Sequence, residues 1–192
     1  MDNVAKIILG GGVALLPTDT VYGLMASPQH PAAIAKIFAL KNRPTAKNLP
    51  ILVADSAQIS ALGVQLDSRI KALLASRFIP GALTMVLPLA KPPSWLSERQ
   101  EIAVRIPNDA ALRALLKGTG PLLATSANAS GRETPPDVPS ILAQLSGTPD
   151  IVIDGGPRQS QPSTLIDCQT SPYSVLRRGA LSDADLKEIR AL

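Results

Sequence analysis

Histidine and cysteine are nearly absent from this chain, and aromatic side chains are scarce: of 192 residues one is His30, one is Cys168, and only 3% are Phe, Trp or Tyr. A single cysteine rules out an intrachain disulfide and any cysteine-rich metal site, and a single histidine excludes a histidine-based zinc site. A Ser-His-Asp arrangement built on His30 would require the loop SPQHP to face the site. Cys168 reads as a small strand residue within LIDC. Few aromatic faces argue against a platform on which splayed bases stack. No apolar run approaches the ~20 residues of a transmembrane helix. The start, MDNVAKIILGGG, has neither the apolar length nor the cleavage pattern of a signal peptide. The expectation is therefore a cytoplasmic protein that does not enter a membrane.

What remains abundant is Arg, Lys, Ser, Thr and Asn, side chains that position and neutralise phosphates rather than attack carbonyls. The net charge of +4 invites an anionic partner, yet it is modest for a dedicated nucleic-acid binder. A basic pocket for a small phosphorylated ligand fits better. Phosphoryl chemistry can run largely on positioning and charge stabilisation, with a metal ion carried in by the nucleotide.

A 45% hydrophobic content over this length is enough to bury one substantial core, so residues 1–192 are read as a single domain. Short apolar runs alternate with helical patterns, which predicts an α/β class. Strands are expected at 13–16, 49–53, 83–87, 102–106, 122–125 and 151–153, with a hairpin of 164–168 and 174–177 around QTSPY. Helices are expected at 4–9, 32–40, 56–62, 68–78 and 139–145. Another, capped by Asn108, runs to 116, and a last one is capped by Ser182.

Several polar clusters sit where apolar strands end. PTDTVYGL, residues 17–24, follows the strand VALLP and closes on Gly23, which lets a backbone approach a ligand; an ordinary Asx-capped turn is the alternative. LKNRPTAKN places Lys41, Arg43 and Lys47 within seven positions. In an extended chain Lys41 and Arg43 would point the same way and could grip a di- or triphosphate. In isolation a solvated basic loop at a helix C-terminus explains them better. In ATSANASG, Ser126 and Asn128 alternate, and Thr125, Ser126 and Ser130 with the local N–H groups would make an uncharged anion-binding nest, or simply a polar loop. Arg105 ends the strand IAVRIP. IDGGP, then Ser163 and Thr164, then Arg177 in VLRRG could close over the same crevice.

Taken together, PTDTVYGL, KNRP, PGALT, AVRIP, TSANASG, IDGG, PSTLID and VLRRG occur in the order seen in one family. The chain resembles the YrdC-like threonylcarbamoyl-AMP synthases in their single-domain form. That resemblance implies a twisted open mixed sheet with flanking helices. It also implies an activity: threonylcarbamoyl-adenylate and pyrophosphate made from L-threonine, bicarbonate or CO2, and ATP, with Mg2+ on the phosphates. The product would feed N6-threonylcarbamoyladenosine formation in tRNA through downstream transfer proteins. The family's paired elements fall on Lys41, Arg43, Ser126 and Asn128 as catalytic and ATP-holding residues. Asn48, Thr134 and Arg177 fall on the nucleotide side, and Thr18, Thr20 and Arg105 on the threonine side. Asp19 is a candidate metal or amine partner or a turn-capping carboxylate. Ala82 stands where the family usually has a second proline, and Val53 near a position where longer members have a histidine. Two other readings are an RNA-binding module for tRNA or double-stranded RNA, and a same-fold enzyme with a different substrate.

Overall fold

The computed structural model describes residues 1–45 and 48–192. Lys47 lies outside them. The chain begins with helix α1 (Asp2–Leu9), strand β1 (Ala14–Leu16), strand β2 (Gly23–Ala26), helix α2 (Pro31–Lys41) and strand β3 (Ile51–Leu52). Helices α3 (Ser56–Ala61) and α4 (Ser68–Leu74) precede β4 (Leu83–Pro88) and β5 (Glu101–Arg105). There follow α5 (Ala110–Thr119), β6 (Leu122–Ser126), α6 (Val138–Gln144), β7 (Ile151–Val152), β8 (Thr164–Asp167), β9 (Ser174–Arg177) and α7 (Asp183–Arg190). The nine described strands form one open mixed sheet in the order β7-β1-β2-β6-β3-β5-β4-β8-β9. Pairing is parallel at β1/β7, β3/β5 and β4/β8 and antiparallel elsewhere.

Because side chains alternate along a strand, each strand delivers residues to both faces of the sheet. One face is covered along its length. Leu15, Leu24, Ile51, Met85, Val104 and Ile166 pack there in one cluster with Ile37 of α2, Ile70 of α4, Ile141 of α6 and Ile189 of α7. The second face is covered only in part. Leu16, Met25, Leu52 and Ala124 meet Val4 and Ile8 of α1 and Leu112, Leu115 and Leu116 of α5, but β4, β5 and β8 contribute nothing to that cluster. On those strands the residues of the second face, Thr84, Val86, Ala103, Arg105 and Leu165, instead line a cavity of about 320 Å³. The site is the part of a sheet face that no described helix covers.

Four sequence expectations need correction. Strand β2 was not foreseen, because GLMA is short and buried at all four positions between β1 and β6, so it shows no alternation. Helix α5 is capped by Asp109, whose carboxylate accepts the Leu112 N–H at 2.8 Å, and not by Asn108. Helix α4 stops at Leu74 rather than Phe78, since the Ser76 hydroxyl takes the Leu73 carbonyl at 2.7 Å. Strand β3 spans only Ile51–Leu52 of the expected 49–53. Ser182 does cap α7, in a reciprocal capping box with Asp185.

Replacing the true cap of α5 should be felt and replacing its neighbour should not. Asp109→Ala is expected to lower unfolding stability by about 1 kcal/mol, with Asn108→Ala near neutral. Denaturant midpoints at constant m-value check this.

Candidate active site

The threonine turn is fixed by Arg105. Its Nε donates to Gly81 O at 2.9 Å, Nη1 to Thr20 Oγ1 at 2.8 Å and Nη2 to Asp19 Oδ1 at 2.7 Å. Arg105 and Asp19 side chains are 7% and 13% exposed, so this pair is largely shielded from water. Burial works against the guanidinium charge and Asp19 offsets part of that cost, leaving the Arg105 pKa below its ordinary value. Asp19 is thereby assigned as the partner of Arg105. Of five guanidinium N–H groups three are engaged here, which leaves one on each Nη for an anion in the cavity. Within the turn, Thr18 Oγ1 donates to Val21 O at 2.7 Å and accepts the Thr20 N–H at 3.0 Å.

At the other cluster Lys41 is the last residue of α2 and only 1% exposed. The expected extended Lys-x-Arg geometry is not formed, because Asn42 adopts a left-handed φ of 49° that ends the helix and turns Arg43 away. Lys41 Nζ donates to Ser126 O, to Asn128 O at 2.6 Å and towards Asn128 Oδ1 at 3.4 Å. Ser126 Oγ donates to Asn128 Oδ1 at 2.5 Å, as does Thr134 Oγ1 at 3.0 Å. The uncharged nest of backbone amides is also corrected. The N–H groups of Ala127, Ser130 and Asn128 are spent on Tyr22 O, Lys41 O and Ser126 O, and that of Ala129 on Gln144 Oε1. Lys41 therefore lies behind the turn with Asn128 and Thr134, while Thr125 and Ser126 reach the cavity wall.

Thr18, Thr20, Arg43, Asn48, Arg105 and Arg177 all line the cavity, so both expected clusters share one space. Arg43 Nη2 donates to Asn48 O at 3.3 Å. Arg177 Nη2 donates to Ser163 O at 2.8 Å, and Ser163 Oγ lies 2.7 Å from Thr84 Oγ1. Thr164 is instead fully buried and accepts the Leu181 N–H. Sequence reasoning missed Arg99 and Glu101, which line the outer end of the cavity. Ion pairs among the described residues involve only Lys36, Arg77, Arg105 and Arg178, so Arg43, Arg99 and Arg177 have no carboxylate partner. Burial lowers the pKa of all three, a cost that a bound anion would relieve. Val53 points into the core on the opposite face of the sheet, away from the cavity. Ala82 enters β4, where its carbonyl accepts the Thr164 N–H at 2.9 Å. His30 precedes α2 with Nε2 2.8 Å from Leu9 O and is not part of the cavity wall, and burial pushes the Cys168 thiol up to about 12.

The arrangement defines an α/β domain with an arginine-lined cavity on the open part of one sheet face. The chain belongs to the Sua5/YciO/YrdC family, whose model, described as telomere recombination, matches residues 6–179. A Bacillus subtilis threonylcarbamoyl-AMP synthase is 32% identical over 97% of this chain and 55% of its own length. One from Pyrococcus abyssi is 33% identical over 96% and 55%. This chain thus spans about half the length of these relatives. Among solved structures, Pyrococcus abyssi Sua5 complexed with L-threonine is 32% identical with a TM-score of 0.86, covering 97% of this chain and 56% of that one. Escherichia coli YciO is 28% identical with a TM-score of 0.83, covering 94% and 89%.

Burial and the nearby Arg43 charge push the Lys41 pKa down from 10.5 to about 8. The unfolded chain then binds more protons between these values, so the Lys41 contribution to stability rises as pH increases through that window. The difference in stability between wild type and Lys41→Met should change in that direction from pH 8 to pH 10; a flat difference would contradict the burial of a charged Nζ.

Proposed function

We propose that this chain, acting as one domain of residues 1–192, condenses L-threonine, bicarbonate or CO2, and ATP into threonylcarbamoyl-adenylate and pyrophosphate. The observation that carries the reading is that the Thr18/Thr20/Arg105 group and the Arg43/Asn48/Ser126 group open onto one cavity. The threonine complex of a relative of the same fold supports it.

In this reading the threonine carboxylate takes the two remaining Arg105 Nη–H groups, and Thr18 and Thr20 orient the amine. The amine attacks CO2, forming an N–C bond and releasing a proton, and the carbamate oxygen then attacks the α-phosphorus of ATP. The bond from the α-phosphorus to the bridging oxygen breaks, and its electron pair leaves with pyrophosphate. Arg43 and Arg177 stabilise the charge that grows on the leaving group, as preorganised cations do in a partly dry cavity. Lys41, Asn128 and Thr134 are positioning residues that hold Ser126, with Lys41 adding its charge from behind the turn. No protein nucleophile is needed. Among the described residues no three His, Cys, Asp or Glu side chains come together, so Mg2+ would arrive on the triphosphate rather than in a protein cage. Its charge would add to that of the arginines. No described helix is long and apolar enough to cross a membrane. The proposed reaction would run in the cytoplasm, where a transfer protein would consume the adenylate in modifying tRNA.

Pyrophosphate release, measured with each of ATP, bicarbonate and L-threonine omitted in turn, is expected to need all three. Release that continues without threonine would rule out the acceptor. Arg43→Ala should cut kcat/KM for ATP by about 10²-fold with the fold retained. Lys41→Ala should also lose activity, and wild-type turnover in both would remove the cluster from the reaction.

A further inference from the structure

The connection from β7 to β8 has an unusual task. Six strands lie between these two in the sheet, a span of about 34 Å at the usual strand spacing of ~4.8 Å. Residues 153–163 must bridge it, and fully extended they reach only about 40 Å. The segment thus runs as a strap from one side of the sheet to the other. Its far end, Pro162 and Ser163, forms part of the cavity wall, where Thr84 and Arg177 hold Ser163. Its near end is fastened to the threonine turn.

That fastening uses two side chains to which the reaction above gives no role. Tyr22 is fully buried, and its hydroxyl accepts the Gly155 N–H at 2.9 Å and donates to Gly156 O at 2.8 Å, with Asp154 Oδ1 at 3.2 Å as a second acceptor. Arg158 reaches back over the Tyr22 ring, 5.9 Å from its centroid. Its Nε donates to Thr18 O at 3.1 Å and its Nη1 to Gly155 O at 2.8 Å. The Arg158 N–H is itself held by Pro136 O at 2.8 Å. The two segments approach so closely that a Cβ on Gly155 would lie 2.9 Å from Pro17 Cγ. Gly156, at φ +77°, turns the strap there.

We propose that Tyr22 and Arg158 form a clasp that positions the Thr18–Val21 turn for the amino-acid substrate, making them positioning residues specific to the acceptor half of the cavity. The inference rests on the function proposed above for its ligand, but not for its geometry. Without the clasp, Thr18 O and the Gly155 N–H lose their partners, and the turn is held from outside by Arg105 and by the Ala127 N–H on Tyr22 O. Charge alone does not suffice, because the forked guanidinium bridges Thr18 O and Gly155 O from two different nitrogens, which a lysine ammonium cannot reproduce.

Two readouts test this on the intact chain. In hydrogen exchange, Tyr22→Phe and Arg158→Lys should accelerate exchange across residues 18–22 relative to wild type, with the core strands unchanged. In steady-state kinetics both should raise KM for threonine by about five- to tenfold, the scale of a lost hydrogen bond, while KM for ATP stays within about twofold. Unchanged exchange in residues 18–22 would overturn the clasp. Equal rises in both KM values with a lowered Tm would also overturn it, marking general loosening instead. A wild-type enzyme indifferent to threonine would contradict the proposed function, and the exchange arm would still decide the clasp.

Discussion

A buried guanidinium is costly unless it is paired and hydrogen-bonded, and this molecule is arranged around one. Arg105 ends a central strand and ties together segments that are distant in sequence: Thr20 and Asp19 of the threonine turn, and Gly81 at the entrance to β4. Removing one partner of such a shielded pair typically costs about 3–5 kcal/mol, because the remaining charge stays in a poorly hydrated place. The turn is therefore folded onto the open sheet face rather than left in solvent. The cavity exists because α1 and α5 cover only the β1, β2, β3 and β6 part of that face.

The two ends of the cavity differ in electrostatic character. At the Thr18/Thr20 end the Arg105 charge is matched by Asp19, with Arg177 close enough to act on it, and directed N–H and hydroxyl groups face the cavity. Elsewhere in the wall Arg43 and Arg99 have no carboxylate partner among the described residues, Lys41 adds charge from behind Ser126, and Arg177, also without one, lies between the two ends, near Arg105. A zwitterionic amino acid suits the first environment and a polyphosphate the second. In the proposed reaction this difference would let one uncovered sheet face bring an acceptor and a nucleotide together without a catalytic histidine or cysteine.

Much of this was legible in the sequence, for physical reasons that can be named. Strand ends that finish in Thr, Ser, Asn or Arg stand out because an apolar run is a clear marker of a strand, and turn or cap chemistry, which could explain each one alone, does not account for their recurrence in one family's order. Capping was legible at Ser182, with an acid three residues on, but misplaced at Asn108 because Asp109 is an equally good cap one position later. Strand β2 was not legible, since burial on both faces erases alternation in a four-residue run. The extended Lys-x-Arg pair was misjudged because Asn42, one of the few non-glycine residues at ease in the left-handed region, reverses the chain between them. The amide nest failed mainly for a non-local reason: the partners that occupy the N–H groups of Ala127, Ser130 and Ala129 come from Tyr22, Lys41 and Gln144, and no local pattern reveals them. Arg99 and Glu101 belong to no motif, and only the fold brings them to the cavity.

The central claim is that one cavity holds the acceptor at Arg105 and the nucleotide phosphates at Arg43 and Ser126. A crystal structure of the chain with L-threonine and a non-hydrolysable ATP analogue tests it most directly. The account predicts the threonine carboxylate on the Arg105 Nη atoms, with the triphosphate against Arg43, Ser126 and Arg177. Threonine outside this cavity, or phosphates seated on Arg105, would contradict it.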